Sequence, residues 1–300
     1  MKKRSLKELN VLDDFLFQEM ITRGEKGEWF CRILLQTILG KEIKQVRVIS
    51  QKVITGRDTD KKGIRMDAYI EEIKEDGYDG EIMADIEALT DIYDIEPNSR
   101  RTVSDPKRAR YYHALIDSKM LRTGEAYDKL RNVIIIMIMP YDPFGKGRMI
   151  YTVENRCLEE ETMEYDDGLK TIYLYTKGTK GSAGKELRDM LKYIEESKEE
   201  NAYSDDLKEI HGLVNEIKND EEVGIQYMKV VEWEEIWRQE GKQEGKQEGR
   251  QEGRQEGRIE AIGKMLKKLT PEEIVQMGFD RQEVLEIQKR MTEEKENGRK

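Results

Sequence analysis

Asp67, Asp85 and Glu87 are the residues of this chain whose types and spacing could do chemistry together. They sit in two β-rich runs, residues 64–73 and 81–89, on either side of the break Lys74-Glu75-Asp76-Gly77-Tyr78-Asp79-Gly80. That is the pattern of a hairpin. Strand side chains alternate between faces. Alternation puts Arg65, Asp67 and Tyr69 on one face of the first run, opposite Ile64, Met66, Ala68 and Ile70. In the second run Ile82, Ala84, Ile86 and Ala88 oppose Met83, Asp85, Glu87 and Leu89. With both apolar sets turned to one core, the three carboxylates converge on the other side. A converging carboxylate set suits a hard divalent cation such as Mg²⁺. A solvated sheet face has the same alternation, and the residues alone leave both readings open.

The elements that must position these acids can be read in order. Leu9, Leu12, Phe15, Leu16 and Met20 fall at helical spacing, with Asp13, Asp14 and Glu19 as helix-start acids or solvated face. Trp29, Phe30, Ile33, Leu34, Leu35 and Ile38 predict a second helix, closed by Gly40. Residues 46–54 predict a strand, so three antiparallel strands in a meander are the simplest arrangement with the hairpin. Residues 90–97 carry no clear pattern. Ser104 or Asp105 can cap a helix with Pro106 in its first turn, running to Gly124. That helix opens with Lys107, Arg108 and Arg110 beside Tyr111 and Tyr112, preceded by Arg100 and Arg101. Cations at a helix N-terminus oppose the macrodipole; contact with phosphate would account for them, as would an ordinary basic surface turn. Residues 132–140 are almost continuously apolar, as in a central strand buried on both faces. Residues 149–153 and 171–175 predict further strands, and 185–200 a helix. The fold class is therefore α/β, a mixed sheet flanked by helices.

The bulk numbers exclude several classes. In 300 residues, 39% are charged and the net charge is −10. Bulk attraction to nucleic acid is absent, so a DNA site must be a local basic patch. Two cysteines, Cys31 and Cys157, make no disulfide framework and point to a reducing cytoplasm. No run approaches the ~20 apolar residues that span a bilayer. His113 and His211 are far apart and form no zinc set with two cysteines. No Gly-x-Ser-x-Gly nucleophile motif occurs, and the glycines of 178–184 lack the layout of a phosphate-binding loop.

Composition shifts near residue 200 to charged, helix-like sequence, which divides the chain into residues 1–200, a helical extension 201–238, a repeat 239–258 and a small helical tail 259–300. The repeat is five tandem tetrapeptides of Gln-Glu-Gly-Lys/Arg, with glycines at 241, 245, 249, 253 and 257. Each glycine costs a helix about 1 kcal/mol relative to Ala, and residues four apart carry like charges. The segment alone reads as a tether, or as a helix held in a homo-oligomer by a close-packed glycine seam. Thr270-Pro271-Glu272-Glu273 is a capping-box start for the tail.

Taken together, Asp67, Asp85-Ile86-Glu87, Lys107-Arg108-Ala109-Arg110-Tyr111-Tyr112, Tyr141-Asp142-Pro143-Phe144-Gly145, Tyr151-Thr152, Asn155-Arg156-Cys157 and the glycine-repeat tail resemble the PD-(D/E)XK nuclease-family transposases, the recombination-promoting nuclease group. The resemblance covers residues 5–200, with a looser echo beyond. It implies a restriction-endonuclease-like core and a DNA endonuclease using Mg²⁺ or Mn²⁺. It assigns Asp67 and Glu87 as metal ligands, the Ala88 carbonyl as a third, with Asp85 and Asp14 as further candidates. DNA contact falls to Arg100, Arg101, Lys107, Arg108, Arg110 and Tyr112. The position two residues after the Glu, usually Lys, or Gln in this family, is Leu89. Leu89 can neither orient water nor bond phosphate. Either Lys52 or Arg65 substitutes, or the chain is a catalytically impaired relative that binds DNA or protein.

Overall fold

The computed structural model describes residues 4–55, 62–73, 89–99, 101 and 105–297. Two compact units divide it, Met1–Tyr227 and Met228–Lys300. In the first, α1 (Asp14–Ile21) and α2 (Glu25–Leu39) precede β1 (Gln45–Ile54), β2 (Ile64–Ile73) and β3 (Leu89–Pro97). Then come α3 (Asp105–Asp117), β4 (Val133–Met139), β5 (Ile150–Val153), β6 (Leu169–Tyr175), α4 (Lys185–Glu195) and α5 (Asp205–Asn219). The six strands form one mixed sheet in the order β1-β2-β3-β4-β6-β5. β1, β2 and β3 run antiparallel, β3-β4 and β4-β6 parallel, and β5 antiparallel to β6.

β4 reads Val-Ile-Ile-Ile-Met-Ile-Met and every residue is buried, as a strand paired in parallel on both sides requires. Its even-numbered residues join Ala68, Ile70, Tyr93 and Ile95 under α1, α2, α4 and α5. Its odd-numbered residues join Met66, Tyr69 and Ile92 under Ala109, Tyr112 and Ile116 of α3. α2 buries Phe30, Cys31, Leu34, Leu35 and Ile38, and ends at Gly40 with a left-handed φ of 64°. Leu207, Ile210, Val214 and Ile217 of α5 enter the same core. The shift in composition near residue 200 is therefore not where the compact unit ends; it continues to Tyr227.

The third strand is where the sequence expectation is corrected. The meander exists, but its third strand is Leu89–Pro97, the stretch that showed no clear pattern. Residues 81–88, and with them Asp85, Glu87 and Ala88, lie outside the described residues, as do Arg100 and the break at 74–80. Ile92, Tyr93 and Ile95 are stronger strand formers than the Met and Ala residues upstream. Their neighbours Asp91, Asp94 and Glu96 disguised them as polar. Leu89 pairs with Ile73 at the far end of β3, remote from the carboxylates of its other end.

Strict alternation also fails in β2. Met66 packs toward α3, whereas Ala68 and Ile70 pack toward α1 and α2. On β1 the ladder joins Ser50 to Ala68 and Lys52 to Met66, and leaves Gln51 unpaired opposite Asp67. Gln51 has φ 51°, a left-handed conformation that a non-glycine residue seldom adopts. The sheet thus changes which face its side chains take at the position of Asp67.

The helix after Pro106 stops at Asp117 rather than Gly124. Ser118 Oγ donates to the Leu115 carbonyl at 2.8 Å, competing with continuation of the helix.

In the second unit, the long helix α6 (Glu221–Met265), which begins in the first, carries the whole repeat. It is followed by α7 (Pro271–Gln276) and α8 (Arg281–Asn297). Ile262, Ile274, Val284 and Ile287 form a small core there. The expected capping box is present: Thr270 N–H donates to Glu273 at 2.8 Å. The repeat is helical, and its residues are exposed. A Cβ added at Gly241, Gly245, Gly249, Gly253 or Gly257 meets nothing within 4 Å. Replacing all five with Ala stabilises α6 by about 1 kcal/mol per position. Circular dichroism of the full chain should show the helical melt of the variant at higher temperature; an unchanged melt would refute an independently exposed helix.

Candidate active site

Among the described residues, β3 brings the carboxylates of Asp94 and Glu96 beside Asp67. The chain holds two Asp-Ile-Glu tripeptides, at 85–87 and 94–96, and β3 contains the second. Asp67 N–H donates to Glu96 Oε1 at 3.0 Å, tying β2 to β3. Glu96 is 1% exposed and Asp94 fully buried. Glu96 also accepts a hydrogen bond and ion pair from Arg108 in the first turn of α3. Arg108 Nε donates to Tyr112 Oη at 3.2 Å, and its guanidinium lies 5.2 Å from the Tyr112 ring centroid. This pairing is a structural reason for one cation at a helix start that otherwise opposes it.

α1 closes the other side. Gln18 Nε2 donates to the Asp67 carbonyl at 3.1 Å. Asp14, the first residue of α1, lies near enough to raise the Asp67 and Glu96 pKa values. Gln51 Nε2 donates weakly to Asp67 Oδ1, at 3.4 Å. The buried Gln18 Oε1 and both carboxylate oxygens of Asp94 have no hydrogen-bond partner among the described residues.

Burial, then Asp14, push the Asp67 carboxyl up to about 6, against the pull of Arg108, Arg65 and Gln51. Burial, then Asp67, push Glu96 up to about 7, although Arg108 pairs with it. Burial, then Glu96 and Asp67, hold Asp94 well above the ordinary carboxylate range. One guanidinium does not offset two buried acids and a half-buried one pressed together. The upward direction for Glu96 and its ion pair are therefore compatible: Arg108 moderates a shift set by burial and crowding.

Of the residues assigned from sequence, Asp67, Asp14, Arg108 and Tyr112 come together here. Arg101, Lys107 and Arg110 are exposed, without ion pairs among the described residues. Arg65 is exposed, and Lys52 lies over the Tyr69 ring, 3.2 Å from its centroid. Sequence reasoning missed Asp94, Glu96 and Asn98. The available signal was the repeated tripeptide, whose second copy stands among stronger strand formers. Asn98 is buried, two residues beyond Glu96; its Nδ2 donates to Tyr141 Oη at 3.0 Å and, at 3.5 Å, to Asp105.

Among the described residues, no group of three or more His, Cys, Asp or Glu side chains is set to hold a metal ion. The donor chemistry nevertheless fits one. Mg²⁺ commonly takes one or two protein carboxylates and completes its shell with water and substrate phosphate. The donors are all oxygen, and a cation relieves the crowding of Asp67 and Glu96: Asp67 raises the pKa of Glu96, and both raise that of Asp94. No helix among the described residues is long and apolar enough to cross a membrane. Family models, curated proteins and solved structures gave no match to the chain.

Proposed function

We propose that the chain is a metal-dependent DNA endonuclease of the transposase or recombination-promoting type, built on a restriction-endonuclease-like core. The observation that carries this reading is the crowding of Asp67, Asp94 and Glu96 at adjoining strands, raised together in pKa beside Arg108. Asp67 and Glu96 are the side chains to hold Mg²⁺ or Mn²⁺, with Asp14 at the rim. Glu96 takes the place first assigned to Glu87. A cation held there supplies polarisation of a phosphodiester and a lowered pKa for a bound water. Arg108 orients Glu96 and moderates the rise in its pKa. Burial and the neighbouring Glu96 and Asp67 disfavour the charge of Asp94 and raise its pKa.

The register matters for catalysis. Counting from Glu96 puts Asn98 where the resemblance expects a Lys or Gln, and a carboxamide can orient a water or bond a phosphate oxygen. The alternative of a catalytically impaired relative rested on Leu89 in that place; on the present reading the place is that of Asn98, and Leu89 stands at the other end of β3.

Plasmid nicking with Mg²⁺ or Mn²⁺, and with EDTA, tests the reading. The wild type cuts only with metal. Asn98→Ala lowers cleavage by about 100-fold and, because it removes the bonds to Tyr141 and Asp105, lowers the melting temperature by a few degrees; Leu89→Gln changes nothing. Cutting that persists in EDTA would overturn the metal reading. A gain from Leu89→Gln with Asn98→Ala unaffected would restore the upstream register.

A further inference from the structure

A second feature of the same unit has no part in the carboxylate site. Between β1, β2 and the turns after α3 lies a cleft of about 770 Å³, within the size range of small-ligand sites. Arg47, Lys52, Lys119, Arg122, Lys129 and Arg131 line it against two carboxylates, Glu71 and Glu125. In a chain of net charge −10 this is a sharp local reversal.

The interior of the cleft is built rather than merely basic. Glu71 is 5% exposed and accepts from Arg47 Nε at 3.0 Å and from Arg131 Nη2 at 2.9 Å. Burial disfavours its charge, but the two guanidinium groups outweigh burial and hold its pKa low. Glu71 is thus a fixed brace for two arginines. The Nη1 of Arg131 is buried with no partner among the described residues. Lys52 makes no ion pair among the described residues; its ammonium rests on the Tyr69 ring. Burial brings Lys52 down to about 8, and the nearby Arg131 and Arg47 add to this against the pull of Glu71. Ile54, Ile116 and Met120 supply an apolar wall.

A braced guanidinium with a spare N–H and a half-desolvated ammonium suit a multiply charged oxyanion. The apolar wall beside them suits a flat, weakly polar body attached to it. We propose that this cleft binds a nucleotide phosphate ester, with Arg131 and Lys52 on the phosphate and the wall of Ile54, Ile116 and Met120 against the base or sugar. Glu71 lies four residues along β2 from Asp67, about 13 Å at strand rise; Lys52, paired with Met66, is nearer, but the carboxylates of the two sites share no hydrogen-bond partner among the described residues. The ligand is either a free nucleotide or one nucleotide unit of a strand.

The test is equilibrium binding to the full chain in EDTA, by calorimetry, with three probes: inorganic phosphate, adenosine monophosphate and a short single-stranded DNA. The wild type binds at least one nucleotide probe saturably, more tightly than phosphate alone. Lys52→Met weakens that binding by about tenfold, or about 1.4 kcal/mol. Arg131→Gln strips Glu71 of a partner and risks misfolding. A second variant, Lys119→Gln with Lys129→Gln, therefore removes rim charge without breaking an ion pair, and it too weakens binding. Binding of the monophosphate assigns a free nucleotide; binding of the strand alone assigns a strand unit. Asp67→Asn binds as the wild type does, so a failed cleavage assay leaves this result standing. No saturable binding of any probe, or wild-type affinity in both cleft variants, overturns the proposal.

Discussion

Asp67→Asn should lose metal-dependent cleavage by about 100-fold or more and remain folded. A cation at such a site contributes several kcal/mol of transition-state stabilisation, and each 1.4 kcal/mol is tenfold in rate. Asparagine keeps the size of the side chain and the backbone N–H that reaches Glu96 Oε1, so the link between β2 and β3 survives. It removes the charge that, after burial, contributes most to raising Glu96. The expected signature is lost cutting with a melting temperature at pH 8 equal to or above that of the wild type. Wild-type cutting should itself weaken as pH falls from 7 toward 6, as Glu96 and then Asp67 take up protons. Plasmid nicking across that range, with circular dichroism melts of both proteins, measures all of this. Undiminished cleavage by the variant would remove Asp67 from the site.

Asp94→Asn should raise the melting temperature at pH 8 and leave it unchanged at pH 4. In the native chain Asp94 keeps its proton well above the ordinary range. In the unfolded chain an Asp titrates near pH 3.9. Between those values the native state holds a proton that the unfolded state has released. Stability therefore falls as pH rises from about 4 toward the native pKa. Below pH 4 both states are protonated and the contribution is fully present. Asparagine mimics the protonated acid at every pH, so the variant escapes the loss. Each kcal/mol corresponds to about 2–4 °C for a unit of this size. Buried His113, brought down to about 4 chiefly by burial, acts in the opposite sense, because stability is lost as pH falls below its unfolded value. It does so in both proteins and cancels in the difference. Melts at pH 4, 6 and 8 decide the matter; a gap of equal size at all three would mean altered packing rather than ionisation.

Both experiments turn on acids whose neighbours lie far away in the chain, and this marks the line between local and non-local information. The seven apolar residues of β4 state their own burial, because only a strand covered on both faces tolerates them. The spacing of Phe30, Leu34 and Ile38, closed by Gly40, states α2. The Thr270 and Glu273 pair states the start of α7. In each case the determining contacts lie within a few residues, so pattern suffices. Asp67 was legible as an acid within a strand, but the face it takes was not, because the alternation breaks at its position.

Which Asp-Ile-Glu stands beside Asp67 was not legible. The tripeptides at 85–87 and 94–96 are identical in sequence. The second is set in the sheet by parallel pairing of Ile92–Pro97 with β4, some forty residues downstream. The role of Arg108 is equally non-local, since its partner Glu96 reaches it only when α3 covers that face of the sheet. Alternation assigns faces only in an unbroken ladder, and the left-handed Gln51 breaks it opposite Asp67. The sequence by itself determined α2, the start of α7, the buried central strand and one acid of the candidate site, because each follows from short-range spacing. The tertiary structure alone decided the second acid, its guanidinium partner and the face they share, because those depend on which distant strands meet and in what register.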